Sequence, residues 1–205
     1  MYRLIAILIG YILGSIQTAY FMGKKSGIDI REHGSKSAGF TNVNRVLGRR
    51  AGIVVFVLDI LKAVLAYVVA TLLFDGGGAF FSTAYVLPGL YAGLGAILGH
   101  NFPFYLKFKG GKGIACSLGL ILMLDWRVAA IAFGLGFVVV FLSRYISLTS
   151  LTITLVAPIL MFVFDYDVEA VAVTAALGVL AWFMHRENIK RLAKGEESKF
   201  SMRKR

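Results

Sequence analysis

One cysteine, Cys116, is too few for an intrachain disulfide or for a metal cluster built from cysteines. Charged residues are also scarce, at 16% of 205 residues, while 58% are hydrophobic and the mean hydropathy is +0.77. A soluble domain of this size cannot bury that much apolar surface, so the chain is expected in a bilayer. Acidic side chains are scarcest: 11 Asp and Glu stand against 22 Lys and Arg, a net charge of +11. The basic residues lie between long apolar runs, which is the topogenic pattern of a polytopic membrane protein, so no nucleic-acid partner is expected. The first run is preceded only by Arg3 and lacks a small-residue cleavage site, so it reads as a retained span and not a cleaved leader.

Apolar stretches run over Leu4 to Met22, Ala51 to Phe74, Ser82 to Gly99, Ile114 to Leu124, Val128 to Leu142, Leu148 to Phe164 and Ala170 to Met184. They predict an all-α bundle of about seven transmembrane helices, forming one integral-membrane domain over residues 1–205. A crossing takes about 20 residues, so the fourth stretch either starts as early as Lys112 or forms half of a re-entrant hairpin with the fifth.

Charge orients the bundle. The connection 23–50 holds seven basic residues (Lys24, Lys25, Arg31, Lys36, Arg45, Arg49 and Arg50), and 100–113 holds three. Arg144 adds one, and the tail from His185 adds eight (Arg186, Lys190, Arg191, Lys194, Lys199, Arg203, Lys204 and Arg205). Asp75, Asp125, Asp165, Asp167 and Glu169 fall in the opposite connections. The positive-inside rule then predicts an outer N-terminus and a cytoplasmic C-terminus. His33, His100 and His185 all fall on the cytoplasmic face, so the chemistry is expected there.

Three cytoplasmic segments carry polar groups suited to substrate. Residues 34–45 bring Ser35, Lys36, Ser37, Thr41, Asn42, Asn44 and Arg45 together in one short loop. The second segment, Gly99 to Pro103 followed by Lys107, Phe108, Lys109, Gly110, Gly111, Lys112 and Gly113, carries the strongest signal. Glycines admit a ligand close to the backbone, the lysines supply charge, and the run opens a predicted helix at Ile114, so an anion such as phosphate fits there. Gly113 stands where a Walker A loop would have the magnesium-holding Ser or Thr. The third segment, His185 to Leu192, continues from the last span with helical spacing.

Missing groups narrow the reaction. The cytoplasmic carboxylates Asp29, Glu32, Glu187, Glu196 and Glu197 form no Asp-x-x-Asp pair for a divalent metal at a diphosphate, so no metal or cofactor is expected. No histidine is followed by an aspartate five positions later, which removes the His-x4-Asp device of common glycerolipid acyltransferases. A basic, glycine-rich site with histidine remains, suited to an already activated, phosphate-bearing donor.

The three segments together resemble the bacterial membrane acyl-phosphate:glycerol-3-phosphate acyltransferases of the PlsY type. GHNFPFYLKFKGGKGIACSLG from Gly99 to Gly119 is similar to the family's glycine-lysine motif, and HRENIKRLAKGEE from His185 to Glu197 to its C-terminal motif. REHGS from Arg31 to Ser35, with Thr41, Asn42 and Arg45, is similar to the first motif, which usually reads G-S-G-N-x-G; here Lys36 and Ser37 replace its second Gly and its Asn.

The resemblance implies acyl transfer from acyl phosphate to the 1-hydroxyl of glycerol 3-phosphate, giving lysophosphatidic acid at the cytoplasmic face of a bacterial inner membrane, by a protein expected to act as a monomer. A mixed anhydride needs no enzyme-bound acyl group, so direct attack by the acceptor suffices. His185, Ser35 and Asn188 are the expected catalytic residues, with either His185 or a dianionic substrate phosphate taking the proton. Lys109, Gly110, Gly111, Lys112 and Gly113 would hold the donor's phosphate. Arg45 and Lys107, with Ser35, would hold that of the acceptor, and Asn42, Asn101 and Asn188 would orient hydroxyls. Asp59 and Lys62, three residues apart in the second span, read as a structural ion pair, and Gly89, Gly93, Gly95 and Gly99 as close helix packing. A transporter or exchanger of organic phosphate anions is the competing reading, although neither a repeat nor a polar pathway accompanies it.

Overall fold

A computed structural model describes residues 1–75 and 86–200, and among these every regular element is helical. The start of the third apolar stretch, the Asp75 side chain and Arg203, Lys204 and Arg205 lie outside the described residues. The chain divides into two compact units, Met1–Leu124 and the part from Asp125 onward.

The first unit contains α1 (Tyr2–Ser15), α2 (Thr18–Lys25), α3 (Phe40–Val46), α4 (Arg49–Asp75), α5 (Leu87–Asn101) and α6 (Ile114–Leu124). Helices α1 and α2 form one apolar span of 24 residues, interrupted at Ile16 and Gln17. Small residues set how closely α1 and α5 approach. Cβ atoms at Gly10 and Gly14 would overlap the backbone of Ala92 and Ala96, and at Gly95 and Gly99 the backbone of Ile7 and Tyr11. In a membrane such contact supplies dispersion that the lipid would otherwise provide, so glycine at these sites determines helix pairing. Gly89 and Gly93 serve the same packing against the side chains of Tyr67 and Leu120.

The second unit contains α7 (Trp126–Ser143), α8 (Ile146–Val163), α9 (Val168–Met184) and α10 (Arg186–Ala193). Asp125 caps α7 by accepting from the Arg127 N–H at 2.7 Å, and Tyr166 donates to its other oxygen at 2.9 Å. Burial opposes ionisation of Asp125, but these hydrogen bonds and the Arg127 side chain hold its carboxyl below the usual carboxylate range. Along α8, Thr149, Ser150, Thr152 and Thr154 return their hydroxyls to carbonyls of the preceding turn, which satisfies them without water.

Among the described residues, four helices are long and apolar enough to cross a membrane: Tyr2–Lys25, Arg49–Phe74, Trp126–Ser143 and Ile146–Val163. Helices α9 and α10, bent by 60°, make a fifth if counted as one span. Helix α6 has the bounds of the fourth apolar stretch, and its 11 residues are the shorter apolar helix, about half the length a bilayer core requires. Large apolar side chains such as Phe137, Phe141, Leu142 and Phe162 stand exposed on the helix surfaces, as a lipid-facing protein requires.

Candidate active site

In the first unit, the loop between α2 and α3 folds around one buried carboxamide. Asn42, only 1% exposed, accepts from the Ser35 N–H at 2.8 Å and donates to the carbonyls of Ile30 and His33, each at 3.0 Å. Its amide is thereby occupied with shaping the loop, and it leaves Ser35 on the exposed rim. Arg45 is exposed on α3. Lys36 has φ +57, the left-handed region that costs an L-residue with a side chain about 1–2 kcal/mol. The position where the family motif carries glycine is thus one that calls for it.

Arg31 straps this loop to the next. Its guanidinium pairs with Asp29 through Nε at 3.0 Å and Nη2 at 2.7 Å, and Nη1 donates to the Leu106 carbonyl at 3.1 Å. The Arg31 hydrogen bonds outweigh partial burial and hold the Asp29 carboxyl below its ordinary range. A second tie runs from the Ala38 N–H to the Gly110 carbonyl at 3.4 Å.

The glycine run leaves α5 and enters α6. Lys107 and Phe108 both take positive φ, at +56 and +58, and Lys107 and Lys109 project as exposed cations. The N–H groups of Gly110 and Gly111 turn back to the carbonyls of Asn101 and His100, at 3.1 and 3.0 Å. This corrects the expectation that glycine amides face the anion directly: two of them satisfy the C-terminal carbonyls of α5 instead. What the run presents to an anion is lysine charge and the first-turn amides of α6, from Ile114 onward, at the positive end of the helix dipole. Gly113 sets this turn with φ +80. Beside it lies Asn101, 1% exposed, whose side-chain oxygen and nitrogen both lack a protein partner. A Cβ on Gly113 would stand 2.9 Å from the Asn101 Oδ1, so this buried amide abuts the mouth of α6.

In the second unit, His185 occupies the bend between α9 and α10 and is 4% exposed. Its Nδ1 lies 2.7 Å from the Ala181 carbonyl, and a carbonyl only accepts, so Nδ1 carries the proton. The basic lone pair is therefore on Nε2. One turn along α10, Asn188 donates to Glu197 Oε1 at 2.7 Å, and Ser147 donates to the same oxygen at 2.9 Å. Arg191 donates to Glu197 Oε2 at 2.7 Å. Burial raises the Glu197 pKa, but the hydrogen bonds from Asn188, Arg191 and Ser147 outweigh it and keep the carboxyl below its ordinary range.

Of the three histidines, His33 is exposed, with Nδ1 2.9 Å from the Asp29 carbonyl, whereas His100 is 3% exposed and contacts Lys62. Arg31 and Glu197 were legible as charged loop residues but gave no sign of what they would hold. Ser147 gave none at all.

These features define an integral membrane protein, helical throughout its described residues, with a basic, glycine-rich loop in the first unit and a buried, tautomer-fixed histidine in the second. A sequence profile for glycerol-3-phosphate acyltransferases matches residues 4–195. The glycerol-3-phosphate acyltransferase of Thermoanaerobacter sp. (strain X514) is 39% identical over 204 residues, covering 99% of this chain and 98% of that protein. That of Aquifex aeolicus (strain VF5) is 36% identical, covering 98% of this chain and 100% of its own length. The crystal structure of PlsY (YgiH), an integral membrane glycerol 3-phosphate acyltransferase, in its glycerol 3-phosphate form superposes with a TM-score of 0.87 at 36% identity. It covers 98% of this chain and 96% of that one, and the lysophosphatidic acid form gives a TM-score of 0.84. The chain belongs to the glycerol-3-phosphate acyltransferase family.

Proposed function

We propose that the protein moves a fatty acyl group from acyl phosphate to the 1-hydroxyl of glycerol 3-phosphate, releasing phosphate and lysophosphatidic acid, the acyl glycerol phosphate from which phospholipids are built. Full-length similarity to glycerol-3-phosphate acyltransferases, one of them solved in glycerol 3-phosphate and lysophosphatidic acid forms, supports the acceptor and product. The observation that carries the donor assignment is the glycine run, whose lysines and helix-opening amides suit a phosphate that gains charge as it leaves.

The acyl carbonyl of a mixed anhydride is already activated, so the acceptor hydroxyl attacks it directly and the acyl–phosphate bond breaks toward phosphate. Lys109, Lys112 and the turn from Gly110 to Gly113 hold that phosphate, while Arg45, Lys107 and Ser35 hold the acceptor's. Asn101 and Asn188 orient hydroxyls, and Asn42 acts through the loop it shapes. His185 supplies a basic Nε2 for the attacking hydroxyl's proton, and the leaving phosphate is the other possible acceptor of that proton. The run of basic connections supports seven spans, an outer N-terminus and a site on the cytoplasmic face of a bacterial inner membrane, with one chain forming the active enzyme.

The test is purified full-length protein in detergent, supplied in turn with acyl phosphate, acyl-CoA and acyl carrier protein thioester. Turnover with acyl phosphate alone is expected, and turnover with a thioester alone would overturn the donor. A protein inactive with every donor that moves glycerol 3-phosphate across liposomes would be a transporter instead.

A further inference from the structure

Beneath the glycine run lies a cluster of ionisable groups that this chemistry does not use. Asp59 and Lys62, one turn apart on α4, are 1% and 7% exposed and pair at 2.9 Å. The pair, read from its spacing as structural, also reaches the ends of two other helices. Lys62 Nζ donates to the Ile16 carbonyl at 2.9 Å, where the break between α1 and α2 leaves that oxygen available, and lies 2.9 Å from His100 Nδ1. The Asp59 oxygen stands 3.6 Å from the same nitrogen. His100 belongs to the loop's foundation: its carbonyl accepts from the Gly111 N–H at 3.0 Å and from Gln17 Nε2 at 2.7 Å. Its ring faces the run as well, since a Cβ on Gly111 would overlap Nε2.

An ammonium group has protons and no lone pair, so beside Lys62 the Nδ1 of His100 is an acceptor and the ring proton sits on Nε2, the edge turned toward Gly111. Asp59 offsets the lysine charge, which lets a cation stay buried there and lock the ring.

We infer that Asp59, Lys62 and His100 are positioning residues for the glycine run: the ion pair fixes the His100 ring, and His100 sets Gly111 and so aims Lys112, Gly113 and the opening of α6 at the donor's phosphate. This rests on reading the run as the donor-phosphate site. The alternative, that the cluster only neutralises charge inside the bundle, predicts no preference between the two substrates.

The test is steady-state kinetics of the full-length protein in detergent, with acyl phosphate and glycerol 3-phosphate varied separately, for wild type, H100Q, K62R and the double variant D59N/K62M. H100Q and the double variant should raise the acyl phosphate KM about tenfold, the scale of losing one charge-assisted contact. They should leave the glycerol 3-phosphate KM within about twofold. K62R keeps a cation that only donates and should hold the donor KM within about threefold of wild type. The double variant removes both charges together, so it leaves no lone buried ion; if it does not fold, H100Q decides alone. A folded, monodisperse H100Q with both KM values unchanged, or with both raised together, would overturn the positioning role, whereas one with only the glycerol 3-phosphate KM raised would place the acceptor's phosphate at the run and overturn the donor assignment. So would a K62R as impaired as the double variant. A wild type unable to use acyl phosphate would instead overturn the donor assignment and this role with it.

Discussion

Replacing Gly111 by Ala asks whether the glycine run has to hold one shape. The added Cβ would overlap His100 Nε2 and stand 2.7 Å from the Ala38 carbonyl oxygen, where ordinary contact begins at 3.4 Å. The imidazole cannot swing away easily, because Lys62 holds its other nitrogen, and the Ala38 oxygen belongs to backbone. The run must therefore retreat by about 0.7 Å from that oxygen alone, which strains the Gly111 bond to the His100 carbonyl. A displacement of roughly 1 Å in a catalytic constellation costs about 100-fold in rate, so kcat/KM should fall on the order of 30- to 100-fold, or ~2–3 kcal/mol of transition-state stabilisation. The control is the same substitution at Gly134, in the middle of α7, where a Cβ meets nothing within 4 Å. There Ala should raise stability by about 0.5–1 kcal/mol through helix propensity and leave turnover unchanged. Both variants would be assayed for release of phosphate from acyl phosphate in detergent, alongside thermal unfolding. Equal activity of the two variants would refute the argument that the shape of the run governs the reaction.

Lys36→Gly relieves a positive φ and should raise the melting temperature by about 2–4 °C for ~1 kcal/mol; an unchanged or lower value in a thermal shift assay would contradict the strain. Glu197→Gln removes the carboxylate that anchors Asn188 and Arg191. Because the folded pKa of Glu197 is depressed, its stabilisation is present above the unfolded glutamate value and is lost as pH falls through the folded one. Thermal unfolding should show the variant about 1 kcal/mol less stable at pH 7 and level with wild type in acid; a constant gap at all pH values would contradict that origin. His185→Ala should lower kcat about 10²- to 10⁴-fold and abolish the fall in rate at low pH that protonation of the base causes, if Nε2 takes the proton, whereas near-normal turnover at neutral pH would assign that task to a substrate phosphate.

The helices were legible because apolar runs in a membrane protein are long and continuous, and the bounds of α6 matched the apolar stretch from Ile114 to Leu124. Close packing at Gly95 and Gly99 was legible too, since small residues four apart share a helix face. Their partner helix was not, because periodicity carries no address. The same limit governs the site. Asp59 and Lys62 could be paired from their spacing, but their contacts with His100 and Ile16 depend on three helices meeting. Glycines at 110 and 111 announced an anion loop, yet their amides follow the carbonyls that α5 leaves at its end. Asn42 looked like a hydroxyl-orienting group and turned inward, because a loop without regular structure has to satisfy its own backbone.

Direct acyl transfer from acyl phosphate can be followed by phosphorus NMR of purified protein in detergent with acyl phosphate and glycerol 3-phosphate. One inorganic phosphate should appear for each lysophosphatidic acid formed, with no phosphate released before the acceptor is added. Stoichiometric phosphate release without acceptor would reveal an acyl-enzyme intermediate and contradict direct attack, and an acyl phosphate signal that stays intact with both substrates present would contradict the donor itself.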